Sequence, residues 1–454
     1  MNSLVPTPVN RRDRRARGRP LAGISLGYFM ILLDMTVLAV AEPDLASSLG
    51  TSMAGLQWAT TGYTVAFAAL LLAAGAATDR FGAERLFRGG VTVFTIASML
   101  SAVAPALWAL VLLRVISGVA AAACVPASMA MIAQLYPERA ARARAISAWA
   151  AISGAAVAAG PILGGALVGV AGWRSVFLMN VPIGLAVLTL ARGRAVVCLR
   201  GDRRIDWPAH LAAAAVLALV TDALIAAGAR AWVHAALSSV GFGASLVAFR
   251  SLEGRSHAPV LNRAMLRSAP VRAGLLAAAV VNFALAGGLF VLPLLLQQER
   301  HLSPFETGLA FLPLTVPFAA SPAFTGKVVA RMGPRRPILA GLALLAAGGV
   351  ALAGGVFTDA GYPWLAPGLL LTGFGVSCVL PSLVAAMVEV APVGTAGAVG
   401  GLLNAVRQVG ATLGVAMMGA IVAAGVGWAL LLSAALCVVA WSVFALARPA
   451  APLR

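Results

Sequence analysis

Apolar stretches about as long as a bilayer is thick recur along almost the whole chain, and they constrain the fold more than any motif. They cover roughly residues 21–42, 57–76, 89–106, 108–133, 145–170, 175–192, 208–228, 232–249, 273–296, 305–326, 337–357, 364–388, 396–424 and 427–447. A helix rising 1.5 Å per residue crosses a hydrocarbon core of about 30 Å in about 20 residues. The runs do not alternate with period 2, as barrel strands would. Fourteen transmembrane helices in an all-α membrane protein are therefore expected. Hydrophobic residues make up 61% of the chain and charged residues 11%, against about 25% charge in a soluble domain. Soluble globular, disordered and collagen-like classes are excluded.

The net charge of +18 would suggest a nucleic-acid partner in a soluble protein. Here the basic residues follow the loops instead. With the N-terminus inside, 28 of the 33 lysines and arginines fall on the cytoplasmic side and three outside (Arg174, Arg230 and Arg300), leaving Arg114 and Arg407 within the membrane. A wrong span count would scramble this parity beyond the error, so the asymmetry points to both termini inside and to no nucleic-acid partner. A cleaved leader competes for the first segment, since Ala39-Val40-Ala41 resembles a peptidase site; Asp34 within the apolar run argues against it.

Catalytic and metal signatures are missing. The four cysteines (Cys124, Cys198, Cys378, Cys437) form no CxxC, and the four histidines (His210, His234, His257, His301) no HExxH. There is no phosphate loop, and the Gly-x-Gly pairs at Gly241/Gly243 and Gly373/Gly375 lie inside apolar runs. No cofactor is expected.

The organisation reads as a basic tail (1–20), a six-helix bundle (21–192), a linker carrying two extra helices (193–271), a second six-helix bundle (272–448) and a short tail (449–454). A weak repeat links the bundles. GAATDRFGAERLF (75–87) follows the second helix, and GKVVARMGPRR (326–336) follows its counterpart. Repeated halves around a midplane cavity are a transporter architecture.

Several ordered motifs resemble the major facilitator superfamily, specifically its fourteen-helix drug:proton antiporter branch. LDMTVLAVAEP (33–43) is similar to LDxTIVNVALP, and GAATDRFGAER to GxLaDrxGrk. RVISGVAAA (114–122), GPILGG (160–165), GWRSVFLMNVPIG (172–184), RRIDWPA (203–209), LSPFETGLAFLP (302–313) and NAVRQVGATLGVA (404–416) continue the match in order. The chain departs from the pattern at Ala39, at Glu42 (where the branch has leucine), at Ser117 and at Ala330. The resemblance implies a conformational latch of Gly75, Asp79, Arg80, Gly82 and Arg85, with a solvated turn as the alternative. It also implies an antiporter motif of Gly160, Pro161, Gly164 and Gly165, for which helix packing accounts equally well.

Intramembrane ionisable groups are the other candidates. Asp34 lies about eight residues from the outer end of its helix and Arg114 about six, roughly 12 and 9 Å deep by helical rise. The two are expected to meet. Low-dielectric surroundings favour a protonated carboxyl and a guanidinium an ionised one, so a carboxylate held between them can exchange its proton for cargo; a permanent structural pair is the alternative. Asp222, in the inserted pair, either takes part or reaches to the surface. Arg407 either meets an anionic or carbonyl-bearing substrate or is capped locally. Glu42 is placed at the outer rim with Asp44, Glu299, Glu306 and Asp359, and Trp58, Tyr63, Trp108, Trp173, Trp232 and Trp364 in the interfacial belt.

Together these readings predict a monomeric, multi-pass plasma-membrane antiporter, not an enzyme. It would export a hydrophobic or amphipathic small molecule, such as a drug or antibiotic, against protons. Proton-coupled or facilitated import of a nutrient is the alternative. An intramembrane enzyme would need a nucleophile–base pair or metal ligands at matching depth, where histidine is nearly absent, and a sensor would need a sizeable soluble domain between the predicted spans.

Overall fold

The computed structural model describes residues 11–191, 206–255, 266–320, 322–390 and 396–447, so Cys198 and His257 lie outside the described residues. Every described part of the fourteen apolar runs is essentially helical, and the helices extend beyond several of the predicted ends. The first five are α1 (Arg11–Leu49), α2 (Met53–Phe81), α3 (Ala83–Ala102), α4 (Leu107–Leu135) and α5 (Arg139–Ala171). The sixth run is broken into α6 (Arg174–Leu178) and α7 (Asn180–Leu190). The inserted pair follows as α8 (Trp207–Gly228) and α9 (Trp232–Arg255). Next come α10 (Ala269–Leu294), prolonged by a π-turn at Leu295–Glu299, and the tenth run in three pieces: α11 (Pro304–Ala310), α12 (Leu312–Ala320) and α13 (Pro322–Met332). The chain closes with α14 (Arg335–Phe357), α15 (Tyr362–Val390), α16 (Ala396–Ile421) and α17 (Val426–Leu446).

Among the described residues, eleven helices are long and apolar enough to cross a membrane by length and composition. The runs outside that set are α3, whose first turns carry Glu84, Arg85 and Arg88, and the two broken ones. The breaks have a covalent cause. Pro182, Pro313 and Pro322 each stand within the first three residues of the piece that resumes. A proline there has no N–H to give the preceding turn but suits the start of a helix.

The packing differs between the two ends of the molecule. At the arginine-poor end, one apolar cluster takes residues from both halves of the chain: Val37, Leu38 and Leu45 from α1, Phe290 and Leu294 from α10, Phe311, and Val415 and Met418 from α16. Towards the arginine-rich end the core divides. One cluster is built from α1 to α5 and α7, with Ala405 of α16 against it, and another from α10 and α14 to α17. Two glycines mark the contact at the arginine-poor end. A methyl group on Gly165 would sit 2.3 Å from the Pro304 carbonyl oxygen, and one on Gly308 2.4 Å from that of Pro161. Gly75, Gly326 and Gly400, towards the other end, have nothing within 4 Å of that position. The shared apolar cluster thus lies at the arginine-poor end, and towards the arginine-rich end the two clusters are separate apart from Ala405 of α16.

Helix α2 runs along α16, joined by a 2.8 Å hydrogen bond from Thr412 Oγ1 to Thr64 Oγ1 and by Gln57 Nε2 donating to the carbonyls of Val415 and Ala416 at 3.1 and 2.8 Å. Helix α8 lies against both α2 and α16, and α9 leans on α8. Leu237, Val240 and Val247 of α9 remain exposed, as a lipid-facing helix requires.

Candidate functional site

Asp34 sits in the middle of α1 at 3% exposure, and Arg114 on α4 at 2%. Arg114 Nη1 donates to Asp34 Oδ2, so the pairing expected from matched depth is present. Its Nε donates to the Ala59 carbonyl of α2 at 3.2 Å. The guanidinium lies 4.5 Å from the Tyr63 ring centre and 6.0 Å from that of Phe177. Aromatic faces and a backbone carbonyl together make a buried cation tolerable in the interior.

Asp34 has a second partner that sequence reasoning missed. Asn180, fully buried at the first position of α7, donates from Nδ2 to Asp34 Oδ1 at 2.9 Å and lies 3.3 Å from Ser98 Oγ. The signal was there: Asn180 is the asparagine of the quoted motif GWRSVFLMNVPIG, and the helix break at Met179 begins α7 on it. Both carboxylate oxygens are therefore bonded, one charge-assisted and one neutral.

Gly160 and Gly164 form the floor beneath this segment of α1. A methyl group on them would meet Thr36 Oγ1 at 2.0 Å and the Val37 carbonyl oxygen at 2.8 Å. Gly165 and Pro161 face α11 instead, so the GPILGG element touches both the Asp34 helix and the other half of the chain.

Arg407 and Asp222 do not join this cluster. Arg407 on α16 is half-buried; its Nη1 donates to Asn404 Oδ1 at 3.1 Å, while its Nε is buried without a partner. No carboxylate is in ion-pair range of it among the described residues. The neighbouring Gln408 Oε1 is also buried and unbonded. Tyr28 of α1, stacked on Trp149 of α5 at 4.3 Å, lies within electrostatic reach of Arg407. Asp222 accepts hydrogen bonds within the inserted pair, from His234 Nε2 at 2.8 Å and from Ser238 Oγ. This contact clamps α8 to α9. Asp222→Ala is expected to cost about 1 kcal/mol or less, because His234 is largely exposed, and to leave transport rates unchanged. Thermal unfolding in detergent beside a transport assay checks both.

Asp79, Arg80 and Arg85 are exposed where α2 turns into α3. Gly82 makes that turn at φ 93°, and Gly333 makes its counterpart between α13 and α14 at φ 73°. Both are left-handed values that favour glycine. Arg85 also lines an open hollow of about 500 Å³ with Glu84, Arg88, Gly89, Thr92 and Leu188, apart from the Asp34 cluster.

Three expectations are corrected. Glu42 is not at the rim: it is 2% exposed. Tyr63 (0%) and Trp173 (2%) are core residues rather than belt residues, whereas Trp108, Trp232 and Trp364 are exposed. No group of three or more metal-ligating side chains forms among the described residues.

Helices long enough to cross a membrane, packed around a buried carboxylate–guanidinium pair, point to a secondary transporter. The model of the Major Facilitator Superfamily matches residues 24–415, with a second match over 274–454. The chain belongs to this family of transporters, and to its drug- and antibiotic-resistance relatives rather than to any enzyme family. It is 34% identical to the tetracenomycin C resistance and export protein of Streptomyces glaucescens, over 90% of this chain and 77% of that one. It is 32% identical to the methylenomycin A resistance protein of Streptomyces coelicolor, over 93% and 89%. With the drug efflux pump JefA of Mycobacterium tuberculosis it shares 34% over 89% and 80%. In fold it resembles a bacterial homologue of the human lysosomal transporter Spinster in an inward-facing, unoccupied conformation, with a TM-score of 0.69, 17% identity, and 95% and 97% of the two chains covered. The protein is thus a multi-pass plasma-membrane transporter of the drug-resistance type.

Proposed function

We propose that this chain is a proton-coupled antiporter of the fourteen-helix branch, exporting a hydrophobic or amphipathic small molecule as a monomer. The observation that carries the reading is the Asp34–Arg114 pair, buried among α1, α2, α4 and α7. Supporting it are relatives that share a third of their residues with this chain and are named for antibiotic resistance and export. In this reading residues 21–192 and 272–448 form the two six-helix halves, and 193–271 carries the extra pair. Both termini are cytoplasmic, and the arginine-rich end is the inner one. The end where the core divides into two clusters then faces the cytoplasm.

The mechanism follows from competition for one carboxylate. Asp34 takes a proton from outside when the outer end opens. The neutral acid releases Arg114 from its charge partner, and the halves rock to the inward-open form. Cargo entering from the cytoplasm, or the return of Arg114 to Asp34, favours the ionised form and expels the proton inward. Each proton brings about 2.3 kcal/mol per 100 mV, roughly a fifty-fold cargo gradient. Asp79, Arg80 and Arg85 act as the inner latch when that end closes. Arg407, a cation with no carboxylate in ion-pair range among the described residues, meets an anionic or carbonyl oxygen of the cargo. Arg407→Gln is expected to raise KM for such cargo about tenfold, the worth of one charge-assisted hydrogen bond.

Everted vesicles test direction. An acid-inside gradient should drive cargo accumulation into them, and collapsing the gradient should release it. Accumulation only into right-side-out vesicles under an acid-outside gradient would establish proton-coupled import instead.

A further inference from the structure

Glu42 is a second buried acid for which the mechanism above has no use. It lies eight residues beyond Asp34 on α1, where the resembling branch carries leucine. Its Oε1 accepts a 2.9 Å hydrogen bond from Thr60 Oγ1 of α2, and its Oε2 is buried without any partner. Its neighbours belong to the seal between the halves. Val40 and Ala41 are fully buried, and Val40 gives its carbonyl to Gln297 Nε2 of the π-turn at 3.0 Å. An ionised carboxylate with one neutral donor and one naked oxygen is among the costliest groups to bury, and such groups neutralise instead. A protonated carboxyl leaves only an ordinary unmade hydrogen bond.

The charged surroundings do not supply a fixed counter-ion. From α4 comes Arg114, whose field reaches Glu42 but whose Nη1 is committed to Asp34. From α2 comes the neutral hydroxyl of Thr60. The outer half of α5, residues 156–171, has no ionisable side chain, nor does α16 over 411–421. On α1 itself Asp44 is bonded to the Trp173 N–H at 2.7 Å. Arg174 is turned to Trp173, Ser48 and Ala104. Glu306 is exposed and bound to Ser303, and Glu299 is exposed.

We propose that Glu42 is a proton-binding residue of the arginine-poor seal, taking up one proton when that end closes and returning it to the same side when it opens. The inference rests on the proposed transport cycle but is separable from it. Glu42 lies on the sealed side of Asp34, so its proton does not cross; it sets the pH at which the seal closes, not the number of protons moved per cargo. The sign follows from linkage: the closed form binds the extra proton, so acid favours closure. One such group shifts the closed-to-open ratio by up to about tenfold per pH unit.

Spin labels at Ser47→Cys and Thr358→Cys, with the native cysteines replaced, report the width of this end in liposomes by pulsed dipolar spectroscopy. The parent should close progressively on acidification. Glu42→Gln, which keeps a partner for Thr60, should close at higher pH than the parent and keep only the shallower pH response that Asp34 gives, while it still cycles with an unchanged proton-to-cargo ratio. Glu42→Asp should retain a pH response at a shifted midpoint, showing that a titrating group rather than a well-packed one is needed. If Glu42→Gln follows the pH curve of the parent, the inference is overturned and the antiport reading stands. If the parent shows neither a pH response nor proton-driven transport, both fall. A changed proton-to-cargo ratio in Glu42→Gln would overturn the same-side return of the proton.

Discussion

Asp34→Asn is expected to reduce proton-driven cargo accumulation to passive equilibration, with insertion into the membrane unaffected. The amide has nearly the shape of the acid and can still accept from Arg114, but it cannot bind and release a proton. What it loses besides coupling is the counter-charge of a guanidinium that is 2% exposed. Removing one partner of a buried pair costs about 3–5 kcal/mol in general. The bonds from Arg114 to Ala59 and its contact with Tyr63 offset part of that. The variant should therefore unfold earlier in detergent as well as fail to couple. The double variant Asp34→Asn/Arg114→Gln separates the two effects. It removes the orphaned charge, so thermal stability should recover, whereas coupling should not. Accumulation that still follows an imposed pH gradient in Asp34→Asn would exclude Asp34 from the proton path.

The meeting of Asp34 with Arg114 was legible because depth along a helix is simple arithmetic: two ionisable groups at similar depth in one half have few other partners. The turn at Gly82 and its repeat at Gly333 were legible too, since a glycine between charged residues at a helix end marks a backbone that side chains disfavour. Asn180 was harder. Depth says nothing about rotation around the helix axis, and the residue that completes the Asp34 site stands 146 positions away, brought in by a helix break. Glu42 and Trp173 were misplaced for one reason. Counting residues from the end of an apolar run locates the lipid boundary but not what packs over it: Gln297 reaches α1 beside Glu42, and Trp173 is covered within the first half by Asp44 and Phe177. Arg407 could be placed near mid-helix but not given a partner, because its surroundings are assembled from α1, α5 and α16.

A bulky side chain at Gly165 is expected to stop transport by a route that leaves the Asp34 site intact. A methyl group alone would stand 2.3 Å from the Pro304 carbonyl oxygen and 3.0 Å from the Phe305 Cα. These are backbone atoms, which cannot turn aside as a side chain does. Gly308 makes the reciprocal approach to Pro161, so the two helices touch through glycine on both sides. Small residues at such crossings let backbones come together, and their enlargement forces the helices apart. Gly165→Leu should therefore hold the arginine-poor end ajar and disfavour the conformation described here. Cargo movement should fall by at least an order of magnitude, and a cysteine at Gln57, now 1% exposed between α2 and α16, should become reactive to a water-soluble thiol reagent. Gly169→Leu on the same helix serves as the control, because nothing lies within 4 Å of that position; it should transport normally. If Gly165→Leu transports like the parent and Gln57→Cys stays protected in it, closure of this end does not pass through the α5–α11 crossing. The GPILGG element would then be packing within one half rather than part of the moving contact.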